Sequence, residues 1–181
     1  MTSPTLIPQE SRLTGTAPVS VVRGDLAEVE RRGPLKFADP AAWLVRSALA
    51  EAAQALPAAP GETAGIIGVS EFATGQSLRA VAADAVEGHS SPRRFVAASP
   101  GTLVGLSSIE FGHVGPTLLL TMPEEPGWAL AHTIAESWLT GEVPSTTWVA
   151  IVSYTVEASG AHRATCRWVS APSPAGEVAS P

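Results

Sequence analysis

The sequence predicts a single α/β domain with helices layered on a mixed sheet, and three observations carry that expectation. From Pro40 to Leu56 the residues Leu44, Val45, Ala48, Leu49, Ala52, Ala53 and Leu56 recur at three- and four-residue spacing, a single apolar stripe suited to packing on a sheet. Ala64 to Ser70, AGIIGVS, is a continuous apolar run bounded by Gly and Glu, the pattern of a buried central strand. Further helical and strand patterns alternate as far as Ser170, which implies layers. A chain of 181 residues suits one domain with a substantial core and is too short for two of ordinary size.

Residues 1–17 hold Thr, Ser, Pro and Gly without apolar periodicity, and residues 172–181 are similar, so both are expected to be disordered tails flanking a domain over 18–171. Val19, Val21 and Val22 suggest a first short strand, followed by a helical turn or loop in GDLAEVERRGP. Asp39-Pro40 starts the main helix, with Asp as N-cap and Pro at the first helical position, and Pro57 and Pro60 stop it. A second helix is expected over Gln76 to Val86 with Ala and Val on one face, and Ser90-Ser91-Pro92 interrupts the pattern. A third helix follows over 101–111, a strand over 117–122 and a helix over 127–139. Strands at 147–155 and 164–170, joined through Ser159-Gly160, complete the domain.

Composition removes several functional classes. A net charge of −6, with basic clusters only at Arg31, Arg32, Lys36 and at Arg93, Arg94, gives no electrostatic footprint for nucleic acid. One cysteine makes neither an internal disulfide nor a metal site, and points to a cytoplasmic protein. No secretory leader opens the chain and no apolar run approaches the roughly 18 residues of a membrane span, so a membrane partner is not expected. With no glycine-rich phosphate loop and no His or Cys cluster at metal spacing, no cofactor and no metal are expected. The 45% hydrophobic and 15% charged residues imply a rather apolar surface, and hence a face covered by a partner. Abundant Ala, and Arg in excess over the single Lys36, fit a GC-rich bacterial source.

The most specific segment is Ser99 to Gly127, SPGTLVGLSSIEFGHVGPTLLLTMPEEPG. Its Pro100, Gly105, Ser108, Ile109, Phe111, Gly112, Gly115 and Pro116 resemble the nucleophile loop of the β-ketoacyl synthases, which leads through a short apolar strand to a Cys at a helix start. Aligned without a gap from Gly115-Pro116 to Gly127, the Cys position is Glu124, with Glu125 beside it. The segments 37–53, 65–69 and 141–143 are similar to the family's early helix, next strand and helix end. The resemblance implies half of a thiolase-type fold, and is greatest to the short synthase-like proteins of polyketide and aryl polyene pathways. It also implies a dimer strand at Thr117, Leu118, Leu119, Leu120 and Thr121, which would otherwise be an exposed apolar edge.

Synthase chemistry needs a Cys thiolate activated at a helix N-terminus, and two histidines from a second half of the fold to assist decarboxylation and hold the thioester carbonyl. Glu124 cannot act as that nucleophile, and the chain ends before a second half is expected. A carboxylate there can serve as a helix N-terminal acid, as a plug lining the pocket, or as an acid or base. Cys166 alternates with Ala164 and Trp168 and is expected to pack as a small hydrophobe. His132, one turn after Trp128, and His89, His113 and His162 are expected to be structural.

The resulting expectation is a catalytically silent, chain-length-factor-like accessory subunit that pairs with an active ketosynthase, or with itself. Two alternatives stand beside it. One is an enzyme using Glu124 or Glu125 as acid or base on an acyl substrate; the other is a homodimeric scaffold docking an acyl carrier protein through Arg93 and Arg94. A face left by a missing second half would need covering, and the five tryptophans, among them Trp43, Trp138 and Trp148, are candidates for it as well as for the core.

Overall fold

Asp39 and Pro40 begin the helix against which much of the domain is built, α1 (Pro40–Ala53). The Asp39 carboxylate accepts from the Ala41 N–H at 2.7 Å, satisfying one of the unpaired first-turn donors. The apolar stripe is buried as expected, but α-helix ends at Ala53 and tighter turns carry the chain to Leu56, whose N–H reaches Ala53 O at 3.1 Å. The computed structural model describes residues 13–89, 91–141 and 146–172.

Among the described residues, six strands form one mixed sheet. β1 (Thr14–Gly15) and β2 (Val19–Arg23) lie in succession along one edge of β6 (His162–Ser170), antiparallel to it. β6 pairs antiparallel with β5 (Val149–Val156), which is followed in parallel by β3 (Gly65–Val69) and β4 (Thr117–Leu120). β3 is central and buried at every position, as the apolar run implies. β4 is an edge strand. It ends at Leu120, so Met122 and Thr121 of the expected strand fall in the connection that follows.

Helices cover both faces. α1 and α4 (Thr102–Phe111) pack on the face bearing Ile66, Ala150, Val152, Ala164, Cys166 and Trp168. α5 (Glu124–Thr140) packs on the other, over Ile67, Val69, Val149 and Ile151. Trp43 and Trp168 are core residues, whereas Trp128, Trp138 and Trp148 are partly buried. The loop between α4 and β4 is held by close approach: a Cβ on Gly115 would run into the carbonyls of Thr63 and Ala64. That contact sets the register, with Ile66 N–H donating to Pro116 O at 2.9 Å.

Four expectations need correction. Thr14 and Gly15, assigned to a tail by composition, pair with Ser170 and Val169, and Thr16 exchanges hydrogen bonds with the Trp168 backbone. Ser91-Pro92 starts a helix, α3 (Pro92–Ala97), with Ser91 Oγ as cap, instead of only breaking the pattern. α2 (Gly75–Val86) forms where expected, yet no residue of it is buried; it rests on α3, leaving Leu78, Val86, Phe95 and Val96 exposed. α5 begins three residues before Gly127, because Pro126 falls in the first turn, where a helix needs no intrahelical N–H donor. Its C-cap is Gly141; Glu142 and Val143, compared with the family's helix end, lie outside the described residues, as does most of the expected C-terminal tail. No described helix is long and apolar enough to cross a membrane.

Candidate functional site

The parallel strands β3, β4 and β5 all end at the same edge of the sheet, the position where open α/β sheets expose their connecting loops. From the end of β4 the chain turns through Thr121, Met122 and Pro123 and enters α5, whose first residue is Glu124. Approach of α5 to the sheet is set by Gly127, where a Cβ would collide with Val69 Cγ1. The carboxylate of Glu124 thus sits at the positive end of a long helix, above the ends of β5 and β6.

Both of its oxygens are engaged. Ser153 Oγ, on β5, donates to Oε1 at 2.6 Å, and Arg163 Nη2, on β6, donates to Oε2 at 3.2 Å. Arg163 is shared with Glu157, whose Oε1 lies 3.3 Å from its Nε. The Glu124 and Arg163 side chains are 26% and 36% exposed, so the pair is screened by water and weak as a source of stability. What it supplies is position. The hydroxyl and the guanidinium fix where the carboxylate sits, and each oxygen keeps a second lone pair. Glu125 is exposed one residue further on.

On the opposite sheet face, at the same edge, a cleft of about 190 Å³ is lined by Asp39, Gln76, Arg79, Tyr154 and His162. Tyr154 Oη lies 2.9 Å from His162 Nδ1. Burial first and the Asp39 charge second push the Tyr154 phenol up to about 12, against the opposing pull of Arg79, so it stays protonated at neutral pH. Asp39 is fully buried and joins two helices, its second oxygen accepting from the Ser77 N–H of α2 at 3.1 Å. His162 is paired with the Tyr154 hydroxyl, a structural contact of the kind expected for it. Sequence alternation places Tyr154 and His162 on one face only if the register of the β5–β6 turn is known.

The remaining candidates are dispersed. Ser108 and Ile109 lie on α4, where Ser108 Oγ is buried and Ile109 is exposed; Gly112 caps the helix with φ of 69°, and Phe111 lies under the Arg46 guanidinium. Arg94 is tied to Asp84, and Arg93 stands over the Phe37 ring at 5.7 Å. Cys166 is fully buried among apolar neighbours, which raises its thiol pKa far above the ordinary value. His113 is lowered by burial against a backbone hydrogen bond with Gly61, and His132 by burial and then by Arg167.

No protein-family model and no curated protein matches the sequence. Solved structures do. A structure of a ketosynthase (ApeO) in complex with its chain length factor (ApeC), from Xenorhabdus doucetiae, matches over 90% of this chain and 80% of that chain with a TM-score of 0.66 at 11% identity. The fold is ketosynthase-like. A second match, the ishigamide ketosynthase/chain length factor, has a TM-score of 0.55 at 14% identity and covers 76% of this chain and 43% of that one. The family resemblance read from the sequence and the match of the whole chain to ketosynthase and chain length factor structures point to the same fold, although so few residues are identical.

Proposed function

We propose that this chain is a non-catalytic, chain-length-factor-like subunit that pairs with an active ketosynthase in bacterial polyketide or polyene biosynthesis. The observation that carries the reading is Glu124: the position that the loop resemblance assigns to a nucleophilic Cys holds a carboxylate whose two oxygens are bound by Ser153 and Arg163. The match to ketosynthase and chain length factor structures supports the same reading at the level of fold. The joint would be the free edge of β4, where Leu118, Leu119 and Leu120 stand beside main-chain groups that no described strand pairs on the outer side. Sheet continuation across a two-fold axis would satisfy those groups.

Co-expression with a ketosynthase encoded beside it tests the proposal. A stable complex on size-exclusion chromatography, with altered product chain length, is expected. Separate elution and unchanged products overturn it. Glu124→Gln is expected to preserve product formation; its loss would instead favour an acid–base role for Glu124.

A further inference from the structure

Between β3 and α4 the chain leaves the body of the domain and returns to it at one place. Thr74, just before α2, donates its hydroxyl to Ala98 O, just after α3, at 2.6 Å, and both residues are buried. Beyond that buried base the two helices form an arm. α2 has no buried residue and α3 buries only Ala97; they pack on each other and make no more than slight contact with any other described helix or strand. Asp84 and Arg94 pair across the arm. Sparse packing of this kind marks a unit that separates from its surroundings at less cost than global unfolding.

The base of the arm carries strain. Ala73 has φ of 43°, and among the described residues it is the one non-glycine in the left-handed region. Ser70 holds it there: its Oγ donates to Tyr154 O at 2.8 Å and accepts from the Ala73 N–H at 2.9 Å, so the strained residue is pinned to β5. Further out, the Ser77 N–H of α2 donates to the buried Asp39 at 3.1 Å, and Arg93 of α3 stands over the exposed Phe37 ring. The cleft of about 190 Å³ is the gap between the two parts. Gln76 and Arg79 line it from the arm, and Asp39, Tyr154 and His162 from the body.

We infer that the α2–α3 arm is a hinged lid over this cleft, pivoting on Ala73 and Ala98 and latched by the hydrogen bond from Ser77 to Asp39. Opening releases the Ala73 N–H from Ser70, lets that residue leave the left-handed region, and parts Gln76 and Arg79 from Tyr154 and His162. Two effects oppose each other: strain at the hinge favours the open lid, and the charge-assisted bond to Asp39 favours the closed one. Asp39 is placed to govern the balance, because its other oxygen caps α1 and keeps the carboxylate on the body in either position. The lid belongs to this chain alone and is independent of any ketosynthase partner.

Distances between spin labels, measured by pulsed electron paramagnetic resonance, test the lid. One pair spans arm and body, Val86→Cys with Glu51→Cys; the control pair lies within the body, Glu51→Cys with Thr133→Cys, and all three sites are exposed. Native Cys166 is fully buried and takes no label. The control should give one narrow distance and the arm pair two populations. Asp39→Asn leaves one acceptor oxygen for two N–H groups and should raise the open population about tenfold or more. Ala73→Gly removes the strain and should shift the ratio of closed to open by about five- to thirtyfold toward closed. A single narrow distance for the arm pair that neither variant changes overturns the inference. A broad distribution that neither variant shifts overturns it too, since fraying of α2 would then explain the spread. If Asp39→Asn unfolds the chain, which the control pair would report by broadening, Ala73→Gly decides the matter.

Discussion

Replacing Gly127 by Ala tests the geometry that places Glu124. The added methyl meets Val69 Cγ1 head-on and Met122 Cγ at 3.2 Å. Val69 cannot easily give way, because it is fully buried on the central strand and its β-branched side chain has few rotamers to choose from. Overpacking of this kind costs about 1–3 kcal/mol, and the better helix propensity of Ala returns about 1 kcal/mol. Because the clash with Val69 Cγ1 is head-on, the upper part of that range, about 2–3 kcal/mol, applies, so a net loss of about 1–2 kcal/mol is expected, lowering Tm by about 2–8 °C for a chain of this size. Urea denaturation of the single variants and of Gly127→Ala with Val69→Ala gives the coupling directly. Removing the Val69 methyl groups opens the space the new methyl needs, so the double variant should be more stable than the sum of the singles predicts, by about 1 kcal/mol or more. A Gly127→Ala protein as stable as wild type, or strict additivity with Val69→Ala, would refute the close approach of α5 to β3. Gly105 is the control: nothing lies within 4 Å of a Cβ there, so Gly105→Ala within α4 should leave stability unchanged or raise it by up to about 1 kcal/mol.

Glu124→Gln keeps an acceptor for Ser153 and removes the charge facing Arg163; with both side chains partly exposed, the stability loss should not exceed about 1 kcal/mol in a urea titration. Cys166 should resist thiol reagents in the folded protein and react only on unfolding, because burial keeps it protonated; fast labelling of native wild type would contradict this. Glu124→Cys should add one promptly reactive thiol, since the new side chain stands at a helix N-terminus beside Arg163. The pKa of His113 is lowered in the folded state, so the unfolded chain binds more protons below about pH 6.5 and stability is lost as pH falls through that value. His113→Gln should therefore show a smaller drop in urea midpoint between pH 7.5 and pH 5.5 than wild type; an identical drop would assign the effect elsewhere.

The elements legible in the sequence are those whose signal is local and repeated. The stripe of α1, the apolar run of β3 and the alternation in β6 each bury one side, and burial writes a period into the chain. β1 was illegible because two residues pair through main-chain groups that every sequence possesses. Ser91-Pro92 and Asp39-Pro40 use the same cap and the same proline position, yet only the latter precedes a long apolar stripe, so the first looked like an interruption. The place of Glu124 followed from the loop resemblance. Its partners did not, because Ser153 and Arg163 lie 29 and 39 residues away and meet it only through the register of the β5–β6 hairpin.

That register also explains why a carboxylate suits this position. Ala164, Cys166 and Trp168 alternate with Arg163, Thr165 and Arg167, so the strand that supplies the core on one side supplies two guanidinium groups on the other. α5 descends along the boundary between the apolar half of this face, over β3, and the basic half, over β6. At that boundary an anion at the helix N-terminus is favoured twice, by the unpaired N–H groups of the first turn and by Arg163. A thiolate there would be favoured by the same two terms. With Glu124 in place the stabilisation is spent on a fixed ion pair, and Arg163 is no longer available to an incoming anion. Arg167, two pleat repeats further along the strand, carries no ion pair among the described residues, so of the two guanidinium groups on this face only Arg163 is committed to the helix N-terminus.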